Sequence, residues 1–274
     1  MSWPTWQHAV VVALASWWVA HRLQQRTPSR VTTAVVPAAR ELLLVASLYA
    51  VWRVARSLPL AQDEGAIERA RQIASLQEAI GLPSELSLQQ LVLRHDWLAW
   101  ATSWYYAGVH VPATVAFLVW LFVRHRDRYP HWRNGLAALT GACLVIRFVR
   151  VAPPRFLPEL GYLDISERFG PDIYGPVGTG VSDQFAAMPS IHVGWAAVVA
   201  FGVVAASPSR WRWLALLHLV ATALAVSASG HHWWLDGIVA VALLGVVLRV
   251  DDALRRRTRR TQTAPSVPAP VGVG

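Results

Sequence analysis

The sequence predicts an all-α fold: a polytopic integral membrane bundle of about six to seven transmembrane helices. Three observations carry that prediction. Of 274 residues, 54% are apolar and only 15% charged, and the apolar ones gather in seven runs. Fifteen are Trp, a residue that favours membrane–water interfaces. All 25 basic residues are arginine, and they concentrate in alternate connections. The net charge of +9 would by itself admit a nucleic-acid binder, but the apolar runs point to a membrane protein instead. A single cysteine, Cys143 within an apolar run, excludes an internal disulfide and argues against a structural zinc site.

Taken in order, the first span is expected from Trp3 to Ala20. No Arg or Lys precedes it, so it lacks the basic start of a signal peptide and reads as a retained helix. Residues 21–40 read as a polar loop with Arg22, Arg26, Arg30 and Arg40, and Leu42 to Leu58 as the second span. From Asp63 to Ile80 the apolar residues Ile67, Ala70, Ile73, Ala74 and Ile80 share one helical face. The segment is too polar to span and stops at Gly81-Leu82-Pro83. It reads as an amphipathic interfacial helix, with a solvent loop as the alternative. Residues 1–84 thus form an N-terminal unit, 85–250 a membrane catalytic domain, and 251–274 a basic, disordered tail.

Within the second unit the expected spans are Asp96–Val123, Asn134–Val149, Pro189–Ala206, Trp211–Ala228 and Trp233–Val250. Residues 152–187 form a long Gly- and Pro-rich loop with five acidic residues, a length that usually marks function. Seven spans place sixteen arginines and four acids on one side of the membrane, and nine arginines and twelve acids on the other. The arginine-rich side, which holds the C-terminus, is then cytoplasmic.

The polar clusters at the span ends face the opposite side. In Ser229-Gly230-His231-His232-Trp233-Trp234-Leu235-Asp236, a helix from Trp233 puts His232 and Asp236 four apart on one face. A carboxylate on one ring nitrogen leaves the other free as nucleophile or base. Met188-Pro189-Ser190-Ile191-His192 opens the fifth span, and Ala152-Pro153-Pro154-Arg155 follows the fourth, near whose end lie Arg147 and Arg150. Guanidiniums, together with the hydroxyl and N–H groups of Ser190 at a helix start, suit a phosphate. A nucleophilic His with a second His to protonate the leaving group suits phosphoryl transfer, and with arginines to neutralise phosphate oxygens neither metal nor cofactor is called for. His110, four residues after Tyr106, reads equally as a core hydrogen-bonding residue or a site residue, and Arg147 and Arg150 could instead snorkel to the interface.

These motifs resemble the three signatures of the type 2 phosphatidic acid phosphatase superfamily, in order over roughly residues 85–250. The nearer resemblance is to its inositol phosphorylceramide synthase-like (inositolphosphotransferase) branch in actinobacteria. There the second motif lacks a Gly and the third begins with paired His, and Tyr105-Tyr106, His110-Val111-Pro112 and Val119-Trp120-Leu121 also look like that branch. The resemblance implies His232 as nucleophile, Asp236 as its orienting carboxylate, His192 as the acid for the leaving oxygen, and Arg155 and Ser190 as phosphate ligands. It leaves His231, His110 and Tyr106 as candidate substrate contacts. The family's first motif opens with a Lys that this chain lacks, so Arg150 or Arg147 stands in for it. The family's Ser-Arg pair before the third motif falls on Ala225 and Val226. The implied activity is a metal-independent lipid phosphotransferase at the extracytoplasmic face of a bacterial plasma membrane. The alternatives are a phosphatase acting on phosphatidic acid or an isoprenyl (pyro)phosphate and, from another class, a non-enzymatic transporter. The expected partners are the bilayer and a lipid phosphate, with no nucleic acid.

Overall fold

The computed structural model describes residues 4–57, 65–170 and 184–263. Among them are eleven α-helices: α1 (Trp6–Gln24), α2 (Arg30–Ser57), α3 (Ala66–Ala79), α4 (Glu85–Leu93), α5 (Asp96–Gly108), α6 (His110–Arg124), α7 (Tyr129–Ile146), α8 (Ile165–Phe169), α9 (Ile191–Ala206), α10 (Ala215–Ala228) and α11 (Trp234–Thr263). Trp3, Leu58, Asp63 and residues 171–183 and 264–274, which the expected spans and loops include, lie outside the described residues.

The bundle is organised around α9, which packs against α6, α7, α10 and α11. Its composition explains how one helix meets four others. Gly194, Ala196, Ala197, Ala200 and Gly202 are small, and small residues let helix backbones approach closely where lipid offers no hydrophobic drive. A Cβ at Gly202 would run into the ring of Phe117 on α6, and one at Gly194 would stand 3.0 Å from Leu139 Cδ2 on α7. Phe117, Leu121, Leu139 and Leu244 fill the layer around it. Helices α1 and α2 form a hairpin laid against α7, pinned by Arg133 Nη1 at 2.6 Å from Glu41 Oε2.

Two described helices are long and apolar enough to cross a membrane, Arg30–Ala55 and Arg210–Ala228, the second including the 3₁₀ turn that leads into α10. A third crossing forms if α5 and α6, bent by 46° at their junction, count as one. Helix α9 has 16 residues, about 24 Å at 1.5 Å per residue, short of the roughly 30 Å apolar slab. By length and composition the described residues therefore show two or three spans, fewer than the six to seven expected.

Several boundaries differ from those expected. Residues 30–40 are helical, because Ser29 and Thr32 cap α2 reciprocally: Ser29 N–H donates to Thr32 Oγ1 at 2.7 Å and Thr32 N–H to Ser29 Oγ at 3.2 Å. The expected third span is broken between Gly108 and His110. The expected tail is helical through Thr263, carried by pairs such as Arg255 Nε to Asp251 Oδ2 at 2.5 Å, one turn apart. The described part of the 152–187 loop holds two 3₁₀ turns and α8.

Candidate active site

The turn between α10 and α11 sets the geometry. The N–H groups of His231 and His232 both donate to the Val226 carbonyl at 3.1 Å, folding the chain back on the end of α10. Gly230 makes this possible with φ +77°, and any Cβ there would press to 2.8 Å on the Leu163 carbonyl oxygen. Trp233, fully buried, is anchored by its indole N–H to the Ala152 carbonyl at 3.0 Å. Asp236 reaches back from the first turn of α11 to accept the Trp233 N–H at 2.8 Å, half of a capping box.

The position of His232 follows. Its Nδ1 stands 2.8 Å from the Ala187 carbonyl oxygen and 3.2 Å from Asp236 Oδ2. Both are acceptors, so Nδ1 carries the proton and Nε2 presents its lone pair, a tautomer assigned from the hydrogen-bond network. That Nε2 lies 3.3 Å from His192 Nδ1, which therefore donates to it. The Ala187 carbonyl is itself fixed, because Val151 and Ala186 form a bridge in which Ala187 N–H donates to the Val151 carbonyl at 3.1 Å. Asp236 is fully buried, and its Oδ1 finds no hydrogen-bond partner among the described residues.

Ser190 caps α9 through Val193 N–H at 3.4 Å, and its own N–H donates to the Asp236 carbonyl at 3.0 Å. The starts of α9 and α11 are thereby tied together, which brings His192 to His232 from forty residues away. Arg155 lies in the 3₁₀ turn Pro154–Phe156, its backbone N–H on the Gly230 carbonyl at 2.9 Å and its Nε 3.1 Å from Asp164 Oδ2. Asp164 also caps α8 and stands 3.9 Å from His231 Nε2. Burial first, then Arg155 and His232, hold the His231 imidazole well below the ordinary range, so it is neutral in the folded protein.

Tyr106 and His110 flank the break between α5 and α6. The Tyr106 ring centroid is 4.7 Å from both His192 and His231, and His110 meets His192 edge-on at 4.5 Å. With Tyr105, Thr222 and Val226 they pack closely beside His192, leaving a crevice too small for a water molecule. The structure thus brings together His192, His231, His232, Asp236, Ser190, Arg155, Tyr106 and His110. Arg147 and Arg150 follow α7: Arg147 donates to the Ala55 carbonyl on α2 at 2.6 Å, and the Arg150 carbonyl accepts from Arg69 Nε.

Sequence reasoning passed over Ala187, Asp164, Gln89, Gln77 and Glu85. Gln89, fully buried, donates to the Leu163 and Ala228 carbonyls at 2.9 and 3.0 Å and so joins α4 to the site turn. Gln77 and Glu85 reach the start of α11, and burial pushes the Glu85 carboxyl above the usual range. One signal was present: Gln77 falls on the face of α3 that carries Ala66 and Ala70, where a polar residue is out of place. Among the described residues the group suited to a metal is His131, Asp251 and Asp252, about 22 Å along α11 from Asp236, and Arg255 already occupies Asp251 there.

The profile of the PAP2 superfamily matches residues 71–250, and the chain belongs to that superfamily, whose members are lipid phosphate phosphatases and phosphotransferases, generally metal-independent. No curated protein and no solved structure matches the chain.

Proposed function

From that membership we propose that this protein is a membrane lipid phosphotransferase working through a phosphohistidine at the extracytoplasmic face. The observation that carries the reading is the His232 arrangement: Nδ1–H held by Ala187 and Asp236, the Nε2 lone pair turned toward a proton on His192. A donor phosphate entering between the rings is attacked at phosphorus by Nε2. As the P–O bond to the lipid breaks, the leaving oxygen takes the His192 proton, and Asp236 stabilises the imidazolium-like phosphohistidine. An acceptor hydroxyl then loses its proton to His192 and attacks phosphorus, the P–N bond breaks, and Nε2 regains its lone pair. Arg155 and the Ser190 helix start hold the phosphate oxygens, with Arg147 or Arg150 in the place of the family's lysine.

Transfer to an alcohol rather than water requires a dry acceptor pocket. The imidazoles and phenols packed round His192, and the paired His231-His232, support the phosphotransferase branch over a simple phosphatase. Counted over all seven apolar runs, the arginine distribution favours a cytoplasmic C-terminus with His232 outside, although by length and composition two or three spans stand out among the described residues. A labelled lipid phosphate offered with a series of alcohols tests the reading. Label is expected in the alcohol product as well as in the phosphohistidine. Label only in free phosphate, whatever alcohol is offered, makes the protein a phosphatase instead.

A further inference from the structure

The chemistry above uses no residue of α3 or α4, yet Gln77 and Glu85 are each 3% exposed, nearly as buried as Asp236. A helix start leaves backbone N–H groups without intrahelical acceptors. At α11 three successive ones are met by side chains from three helices. Trp233 N–H donates to Asp236 Oδ2 at 2.8 Å, Trp234 N–H to Glu85 Oε1 at 2.9 Å, and Leu235 N–H to Gln77 Oε1 at 2.9 Å. Gln77 Nε2 donates to the same Glu85 oxygen at 2.7 Å, so the two side chains hold each other as well as the helix.

We propose that Glu85 and Gln77 are positioning residues that keep the Asp236 carboxylate available to His232. This deepens the reading above and rests on it. The reason is competition for acceptors. Asp236 already divides Oδ2 between Trp233 N–H and His232 Nδ1, the latter at the longer distance of 3.2 Å. Without Glu85 and Gln77, two buried N–H groups of the same turn lose their acceptors, each at a cost of about 1–3 kcal/mol. The carboxylate on that turn is Asp236; its Oδ1 has no partner among the described residues, and turning that oxygen toward the freed N–H groups rotates Oδ2 off the imidazole. The Ser190 N–H on the Asp236 carbonyl passes any shift of the turn to the start of α9, and so to His192.

The test is a double-mutant cycle with kcat normalised to the amount of protein that can be phosphorylated. Glu85→Ala should lower kcat by roughly 10- to 100-fold, the scale of a small misplacement in an active site, with KM within about threefold of wild type. Glu85→Gln keeps an oxygen for Trp234 and Gln77 and should recover most of that loss. In an Asp236→Asn background Glu85→Ala should cost less than about threefold, since no carboxylate is left to aim. A purely structural role would lower the folded fraction without this dependence. Equal losses in both backgrounds, an unchanged kcat in Glu85→Ala, or a Gln variant as poor as Ala would overturn the proposal. Should Glu85→Ala fail to fold, Gln77→Ala runs the same cycle. His232→Ala checks the underlying reading separately: turnover surviving in that variant defeats the phosphohistidine mechanism whatever Glu85 does.

Discussion

Replacing Asp236 by Asn isolates what the buried carboxylate contributes. Asn fills the same volume and its amide oxygen still accepts from Trp233 N–H, so the first turn of α11 keeps its cap. What disappears is the negative charge beside an imidazole that becomes positive as phosphorus is attacked. At an effective dielectric of about 20, opposite unit charges about 4 Å apart attract by about 4 kcal/mol. Spreading the charge over the ring and its phosphoryl group reduces this, and about 3–4 kcal/mol corresponds to a loss of roughly 10²–10³ in rate. Where such a substitution also scrambles the tautomer the loss is on the order of 10⁴. Here the Ala187 carbonyl, closer to Nδ1 than Asp236 is, holds the tautomer by itself. The single-turnover rate of phosphoprotein formation at saturating lipid phosphate measures this directly. A loss under tenfold would refute the role of the charge, and a loss beyond about 10⁴ would refute the claim that Ala187 preserves the tautomer.

Three further outcomes follow from the same geometry. Arg155→Lys retains a charge but not the planar fork, and losing one charged hydrogen bond of about 1.5–3 kcal/mol should lower kcat/KM roughly ten- to hundredfold. His192→Ala should cost about 10²–10⁴ with an alkoxide leaving group and far less with a nitrophenolate, which leaves without a proton, so rates on the two substrate types check it. His231 is depressed in the folded protein, so below its ordinary value of 6.5 the unfolded chain binds a proton that the folded chain refuses. Its contribution to stability is thus present above pH 6.5 and falls as the pH drops, by up to about 1.4 kcal/mol per pH unit. Thermal unfolding in detergent at several pH values should show that slope in the wild type and a shallower one in His231→Gln.

The parts of the site that could be read in the chain share a property: their signal is local. His232 and Asp236 announce themselves by four-residue spacing, Ser190 by its place before an apolar run, and Arg155 by following one. Gln77 and Glu85 act on Trp234 and Leu235 from about 150 residues away, and no spacing rule connects them. Ala187 works through its carbonyl, so its side chain carries no hint of the role. The bend between α5 and α6 interrupts no apolar run, so a hydropathy reading joins the two helices. At the other extreme, the arginines from Arg22 to Arg40 and from Arg255 to Arg257 read as loop and tail, yet long side chains let a helix carry charge into the interface. The cap at Ser29 and the Asp251–Arg255 pair extend both helices beyond what composition alone predicts.

The measurement closest to the centre of this account is the location of the phosphoryl group in a trapped intermediate. Purified protein mixed with a labelled lipid phosphate and quenched in alkali should retain an acid-labile label. Peptide mapping should place that label on His232 and nowhere else, and His192→Ala should still accept it from a substrate with a good leaving group. Label on His192 or His231, or turnover with no labelled protein at any quench time, would contradict the assignment of His232 as nucleophile.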